Sequence, residues 1–134
     1  MNNAGQPQVV LGICGGIAAY KAATVASRLH QAGVDVHVMM TPAATEFVQP
    51  LTFAALTHNS VRTSMFPVAE REDDRDIFPH LYPAVDADLF CVLPATADII
   101  AKLAGGLADD IVCATALSVT DACHRCFCPA MNSE

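Results

Sequence analysis

Val9-Val10-Leu11-Gly12-Ile13-Cys14-Gly15-Gly16-Ile17-Ala18-Ala19 decides the fold. Apolar residues surround one glycine, two adjacent glycines follow, and a run of helix formers comes next. This order spells a buried strand, a tight turn and a helix start. Glycine lets backbone approach a ligand closely, and the first helical turn leaves its N–H groups pointing outward. The helix dipole adds positive potential at that end, which favours an anion such as phosphate. The glycines at 12, 15 and 16 do not make the G-x-G-x-x-G dinucleotide fingerprint. On this stretch alone, phosphate binding and a plain strand-to-helix turn both remain open.

The next elements extend the pattern. Ala18, Ala22, Val25, Ala26 and Leu29 recur at helical spacing, predicting a helix over 17–32 with these residues on its buried face. Lys21 and Arg28 fall on its wet side, and Gly33 is placed to end it. Asp35-Val36-His37-Val38-Met39-Met40 reads as a second strand. Strand, helix and strand in this compass form a βαβ unit, hence a parallel sheet with a right-handed crossover. Thr41 and Pro42 close the second strand and open a short helix over 43–47. Thr41 and Thr45 offer hydroxyls at the carboxyl edge of the strands, where open parallel sheets bind ligands; helix capping by Thr41 is the alternative. A helix over 51–58 follows.

Residues 60–84 read as a solvated loop carrying the charge cluster Glu70-Arg71-Glu72-Asp73-Asp74-Arg75-Asp76. Ala87 to Leu93 is a third core strand. Pro94-Ala95-Thr96-Ala97-Asp98 then repeats a strand-to-helix turn at the ligand edge, a helix runs over 99–104, and Gly105-Gly106 break it. Leu107-Ala108-Asp109-Asp110 opens a helix over 111–119, with acids suited to its dipole. Arg125-Cys126-Phe127-Cys128 alternates into a last strand ending at Pro129-Ala130-Met131-Asn132. The expected fold is therefore α/β: a three-layer, doubly wound parallel sheet, Rossmann-like or flavodoxin-like, with helices on both faces, in one domain over 1–134.

Composition narrows the function classes. The 134 residues are 53% hydrophobic, with 7 basic and 14 acidic residues and a net charge of −7. No basic patch is present, so nucleic acid is not an expected partner. No apolar run approaches the roughly 18 residues of a membrane span, and Met1 to Gln8 lacks signal-peptide features, which points to the cytoplasm. Without a secretory signal, the six cysteines read as reduced thiols. Cys126 and Cys128 share one strand face, but no second pair at metal-site spacing exists, so buried apolar thiols are expected and no metal. Cys14, Cys91 and Cys113 read as core. His30, His58 and His124 read as surface residues, and His37 lies on a strand face.

Taken together, Gly12-Ile13-Cys14-Gly15-Gly16-Ile17-Ala18-Ala19-Tyr20-Lys21, Pro94-Ala95-Thr96-Ala97-Asp98, Gly106-Leu107-Ala108-Asp109-Asp110 and Pro129-Ala130-Met131-Asn132 resemble the homo-oligomeric flavin-containing cysteine decarboxylases. The resemblance covers the chain apart from the 60–79 loop and favours the branch acting on phosphopantothenoylcysteine in coenzyme A biosynthesis. It implies FMN as cofactor, that small-molecule substrate, and a homo-oligomer built from trimers. Gly15, Gly16, Ile17, Thr41 and Thr45 would hold the FMN phosphate. Phe47 and the turn Pro94, Ala95, Thr96, Ala97 and Asp98 would border the isoalloxazine. His80, just before the third strand, would be the acid/base, and Asn132 would hydrogen-bond the substrate carboxylate; both are expected to converge from loops at the carboxyl edge.

In such an enzyme FMN oxidises the substrate thiol, creating an electron sink beside the carboxylate so that CO2 can leave. The family motif continues as Pro-x-Met-Asn-x-x-Met-Trp, and this sequence stops before its last two residues, so a fragment lacking the substrate lid is expected. A peptidyl-cysteine decarboxylase, a flavin prenyltransferase and a non-catalytic regulatory subunit of the same fold are the alternatives. His80 and Pro-Ala-Met-Asn speak against the prenyltransferase.

Overall fold

The computed structural model describes residues 5–66 and 78–132. Among the described residues four strands, β1 (Gln8–Ile13), β2 (Asp35–Met40), β3 (Leu89–Ala95) and β4 (His124–Pro129), form one parallel sheet in the order β2-β1-β3-β4. Five α-helices connect them: α1 (Ala19–Gln31), α2 (Pro42–Thr45), α3 (Pro50–Thr57), α4 (Ala97–Gly105) and α5 (Ile111–Ser118). A 3-10 turn over Ala84–Asp86 leads into β3. Arg62 adds a single parallel bridge outside β2, pairing with Met39. The chain thus winds outward from β1 through β2 to Arg62, then returns to the other side of β1 for β3 and β4. The winding direction reverses between β1 and β3, the switch point at which open parallel sheets bind ligands.

Strand alternation sorts the core into two layers. Val9, Leu11 and Ile13 of β1 join Val36, Val38 and Met40 of β2 on the face covered by Ala19, Ala22 and Ala26 of α1 and Phe53 of α3. Val10 joins Met39, Phe90 and Val92 on the face covered by Ile111, Val112 and Cys113 of α5. The doubly wound arrangement is the one expected. Gly12 is required by it: a Cβ there would lie 2.7 Å from Cγ1 of Val112, so α5 rests directly on β1.

The buried stripe of α1 is rotated from the expected one. Ala19, Ala22 and Ala26 are buried, whereas Val25 is exposed. Alanines lie on several sides of this helix, so its periodicity fixes the phase weakly, and the sheet accepts the smallest side chains at closest approach. Gly33 ends α1 as expected, at φ +84°: its N–H donates to His30 O and that of Val34 to Leu29 O, the paired bonds of a Schellman motif. Lys21 and Arg28 are exposed as expected. The acidic cluster at 70–76 lies outside the described residues, and the 60–84 segment contains the Arg62 bridge and the 3-10 turn as well as loop.

Candidate flavin site

A cavity of about 420 Å³ opens at the crevice between the carboxyl ends of β1 and β3. That volume falls within the roughly 300–1,000 Å³ of small-molecule sites. Its walls come from three strand-to-helix turns and the start of α5: Cys14 and Gly15 after β1, Thr41 and Ala43 after β2, Thr96 and Asp98 after β3, and Asp110.

The two glycines after β1 differ. A Cβ on Gly15 would lie 2.5 Å from Ala43 Cβ and 2.9 Å from its carbonyl carbon, so the turn packs against the α2 backbone. A Cβ on Gly16 would meet only Pro94 Cγ and Thr96 Cγ2, both at 3.5 Å, an ordinary contact. Packing within the chain explains Gly15 and leaves Gly16 unexplained. Thr41 caps α2, Thr96 caps α4 and Asp110 caps α5 through their side chains, whereas no side chain caps α1 or α3 and no acid occupies the first turn of either; of these two, α1 is the one that follows the Gly15 turn of the cavity. The positive end of the α1 dipole is thus left for an external acceptor.

Thr41 Oγ1 accepts from Ala44 N–H at 3.2 Å and Thr96 Oγ1 from Ile99 N–H at 3.3 Å, so the capping alternative for Thr41 is realised. A capping hydroxyl keeps its own O–H to donate. Thr45 Oγ1 instead donates to Pro42 O at 2.6 Å.

The opposite wall is acidic. Lys102 Nζ lies 3.3 Å from Asp98, 3.4 Å from Asp109 and 3.7 Å from Asp110. Desolvation works against its charge, but hydrogen bonds to Asp98 and Asp109 outweigh it and hold the ammonium above its usual range. Three carboxylates face one ammonium, so an added anion is repelled from this wall and favoured at the Gly15 and Thr41 wall. Burial pushes the Cys14 thiol up to about 12, helped by the Asp110 charge, and Cys113 also rises to about 12 through burial and its hydrogen bond to Asp110. Both remain protonated at neutral pH and are poor nucleophiles. Asp110 serves as the cap of α5, accepting from Cys113 N–H at 2.8 Å, rather than as a first-turn acid.

The cavity brings together Gly15, Thr41, Thr96 and Asp98. Pro94 and Ala95 are buried at the end of β3, while Ala97 opens α4 and is exposed. Ile17 and Phe47 stand exposed at 82% and 52% of their surface. Ala130 N–H donates to Ala95 O at 3.1 Å, which lays Pro129 and Ala130 along the same edge, two residues before Asn132.

His80 does not line the cavity. Pro83, three residues on, accepts from Gln8 Nε2 at 3.2 Å, so its segment is anchored at the amino end of β1. The expected convergence with Asn132 within one chain is not seen. Among the described residues, the buried Nδ1 of His80 meets no hydrogen-bond partner, and its ring stands edge-on to Phe78 with centroids 6.4 Å apart.

Sequence spacing missed two features: the Lys102 knot, and the approach of Cys91 to Cys126 and Cys128 across two strands. The latter two are exposed, not buried as expected. The Asp98…Lys102 spacing, i to i+4 on a helix, was the one available signal for the knot.

Known proteins fit this geometry. The Flavoprotein family profile matches residues 1–134, and the chain belongs to that family. Membership implies a flavin ligand. The chain is 40% identical to a probable phosphopantothenoylcysteine decarboxylase of Streptococcus mutans over 95% of its own length and 69% of that protein's. It is 45% identical to the coenzyme A biosynthesis bifunctional protein CoaBC of Bacillus subtilis, over 92% of this chain, and spans 29% of that longer relative. Among solved structures, the FMN-dependent cysteine decarboxylase SpaF superposes with a TM-score of 0.82 at 29% identity, over 96% of this chain and 70% of that one. Among the described residues no helix is long and apolar enough to cross a membrane.

Proposed function

We propose that this chain binds FMN in the crevice cavity and forms the flavin-binding part of an enzyme that decarboxylates 4'-phosphopantothenoylcysteine to 4'-phosphopantetheine in the cytoplasm. The observation that carries the reading is the start of α1, which no side chain caps, together with Gly16, a position that packing leaves open next to the Gly15 wall of the cavity. The relatives named for coenzyme A biosynthesis, at 40% and 45% identity, support this substrate over a peptide.

Gly15, Gly16, Ile17, Thr41 and Thr45 would hold the phosphate, and Phe47 with Pro94, Ala95, Thr96, Ala97 and Asp98 would border the ring system. When bound, FMN supplies a two-electron acceptor for the substrate thiol. The protein's own work is binding and proton handling. Asn132 would donate its amide to the substrate carboxylate without adding charge. His80 would take or return a proton through its imidazole. Its segment is anchored at the far edge of its own sheet, so His80 would serve the cavity of a neighbouring copy. A trimer, or a multiple of trimers, is the assembly we propose. The exposed apolar side chains of Ile17, Tyr20, Phe47 and Leu51 are suited to a subunit contact.

The test is CO2 release from phosphopantothenoylcysteine by the full-length protein, with flavin absorbance recorded on the same samples. His80→Asn is expected to keep flavin and lose turnover. Asn132→Asp places a second carboxylate near the substrate's own, a repulsion of order 4 kcal/mol at ~4 Å and an effective dielectric of ~20. Mixed oligomers of the two variants should regain part of the activity. Wild-type turnover by His80→Asn would overturn its role, and a colourless protein that fails to quench FMN fluorescence would overturn the whole reading.

A further inference from the structure

A second cluster of chemically capable groups lies away from the cavity, on β3 and β4. The strand register pairs Cys91 with Cys126, and Cys128 lies two residues further on the same face of β4. The three sulfurs lie within 4.8 Å of one another, and Cys91 Sγ is 4.0 Å from Cys128 Sγ. All three are free thiols; within residues 1–134 Cys91 is buried, while Cys126 and Cys128 are exposed. Among the described residues, neither a histidine nor a carboxylate joins them. None of the three lines the cavity.

The spacing has a coordination meaning. Three sulfurs about 2.3 Å from one ion are about 4.0 Å apart in a trigonal plane and about 3.8 Å apart in a tetrahedron. The Cys91–Cys128 separation equals the planar edge, and the other separations need to close by less than an ångström. Thiolates bind both Zn²⁺ and Cu(I); zinc completes a tetrahedron with a fourth ligand, and among the described residues no fourth protein ligand joins these three sulfurs. We propose that Cys91, Cys126 and Cys128 form a three-thiolate site for a soft monovalent d10 cation of the Cu(I) type. Each thiol gives up its proton as its sulfur binds, so one ion displaces up to three protons and no oxidation state changes. Before binding, burial and then the neighbouring sulfurs hold the Cys91 thiol well above its ordinary range, and burial raises Cys128. The incoming cation supplies the positive charge that this crowding lacks.

The experiment is an anaerobic titration of the full-length protein with Cu(I) against a chromophoric chelator. One tight equivalent per chain is expected, with X-ray absorption showing three sulfur scatterers at about 2.3 Å. The double variant Cys126→Ser/Cys128→Ser exchanges sulfur for oxygen at nearly constant size, so it should keep its far-ultraviolet circular dichroism. It should bind Cu(I) at least a hundredfold more weakly, while Cys113→Ser keeps the tight equivalent. Unchanged affinity in the double variant, equal loss in Cys113→Ser, or only two sulfur scatterers would overturn the site. Tighter capture of Zn²⁺ than of Cu(I), with a nitrogen or oxygen ligand completing a tetrahedron, would overturn the assignment to a monovalent ion.

Discussion

β1 and β4 run parallel in one sheet, have six residues each and end at the same edge, yet every residue of β1 is buried and every residue of β4 is exposed. β1 has a strand on each side and helices on both faces. Among the described residues β4 has one neighbour, β3. Arg125-Cys126-Phe127-Cys128 carries the alternation of a half-buried strand, so its side chains do not by themselves dictate its exposure. Local pattern writes the strand; the elements packed on it decide what is buried. The contrast extends to chemistry, since the turn after β1 shapes the cavity while β4 supplies two of the three clustered thiols.

Paired truncations on neighbouring strands put the contrast to its strongest test. Phe90 of β3 is fully buried, so Phe90→Ala should cost about 3–5 kcal/mol in urea unfolding. Phe127, 45% exposed on β4, should cost less than about 1 kcal/mol when truncated. Equal losses would mean that β4 is covered in the native assembly. Next in size is Gly15→Ala. Its Cβ would collide with the α2 backbone at Ala43, and overpacking of this kind costs about 1–3 kcal/mol. A neutral result would show that α2 moves freely against the β1 turn.

The β1 half of the molecule was legible because its signals are local. Val9 to Ile13 is an unbroken apolar run, and Gly15-Gly16 punctuates it. Both the parallel sheet and the ligand edge follow from that βαβ unit. The motifs after β1 and β3 carried the family resemblance because they are the turns that meet at the crevice. What stayed hidden depends on distance or on phase. Cys91 and Cys126 become partners only through strand register across 35 positions, which no spacing rule reports. The Val25 misreading came from an alanine-rich helix whose small residues define several faces equally well. His80 was placed by its position before β3, but the Gln8–Pro83 bond that anchors its segment joins residues 75 apart in sequence.

Gly16→Ala separates ligand approach from packing inside the β1 turn. The added methyl meets only ordinary contacts, so stability should stay within about 0.5 kcal/mol of wild type. Flavin affinity should fall at least tenfold, read by fluorescence quenching, because the methyl occupies the approach to the uncapped α1 amides. Undiminished flavin binding would return Gly16 to an ordinary turn residue and remove the main support for the phosphate wall.

The smallest effect lies at the other outer strand. β2 also stands next to the sheet's edge, yet it is sealed by local polar contacts where β4 is not. Asn59 Nδ2 donates to Asp35 Oδ1 at 2.9 Å and to Val36 O at 2.8 Å, and His37 Nε2 lies 2.9 Å from Asp35 Oδ2. Burial opposes ionisation of Asp35, but the hydrogen bonds from Asn59 and His37 outweigh it and hold the carboxyl below its model-peptide value of 3.8. A carboxyl with a lowered folded pKa binds its proton less readily in the folded state than in the unfolded one. Its contribution is therefore fully present above the unfolded pKa and is lost as pH falls through the folded value. The group is partly exposed and screened, so Asp35→Asn should cost only about 0.2–1 kcal/mol at neutral pH. The gap between variant and wild type should narrow as the pH drops below about 4, where the wild-type carboxylate protonates. Urea midpoints measured for both proteins from pH 7 down to pH 3 give the answer. A gap that widens toward acid would mean that Asp35 destabilises the folded chain when charged, and that β2 owes its sealed edge to the Arg62 bridge alone.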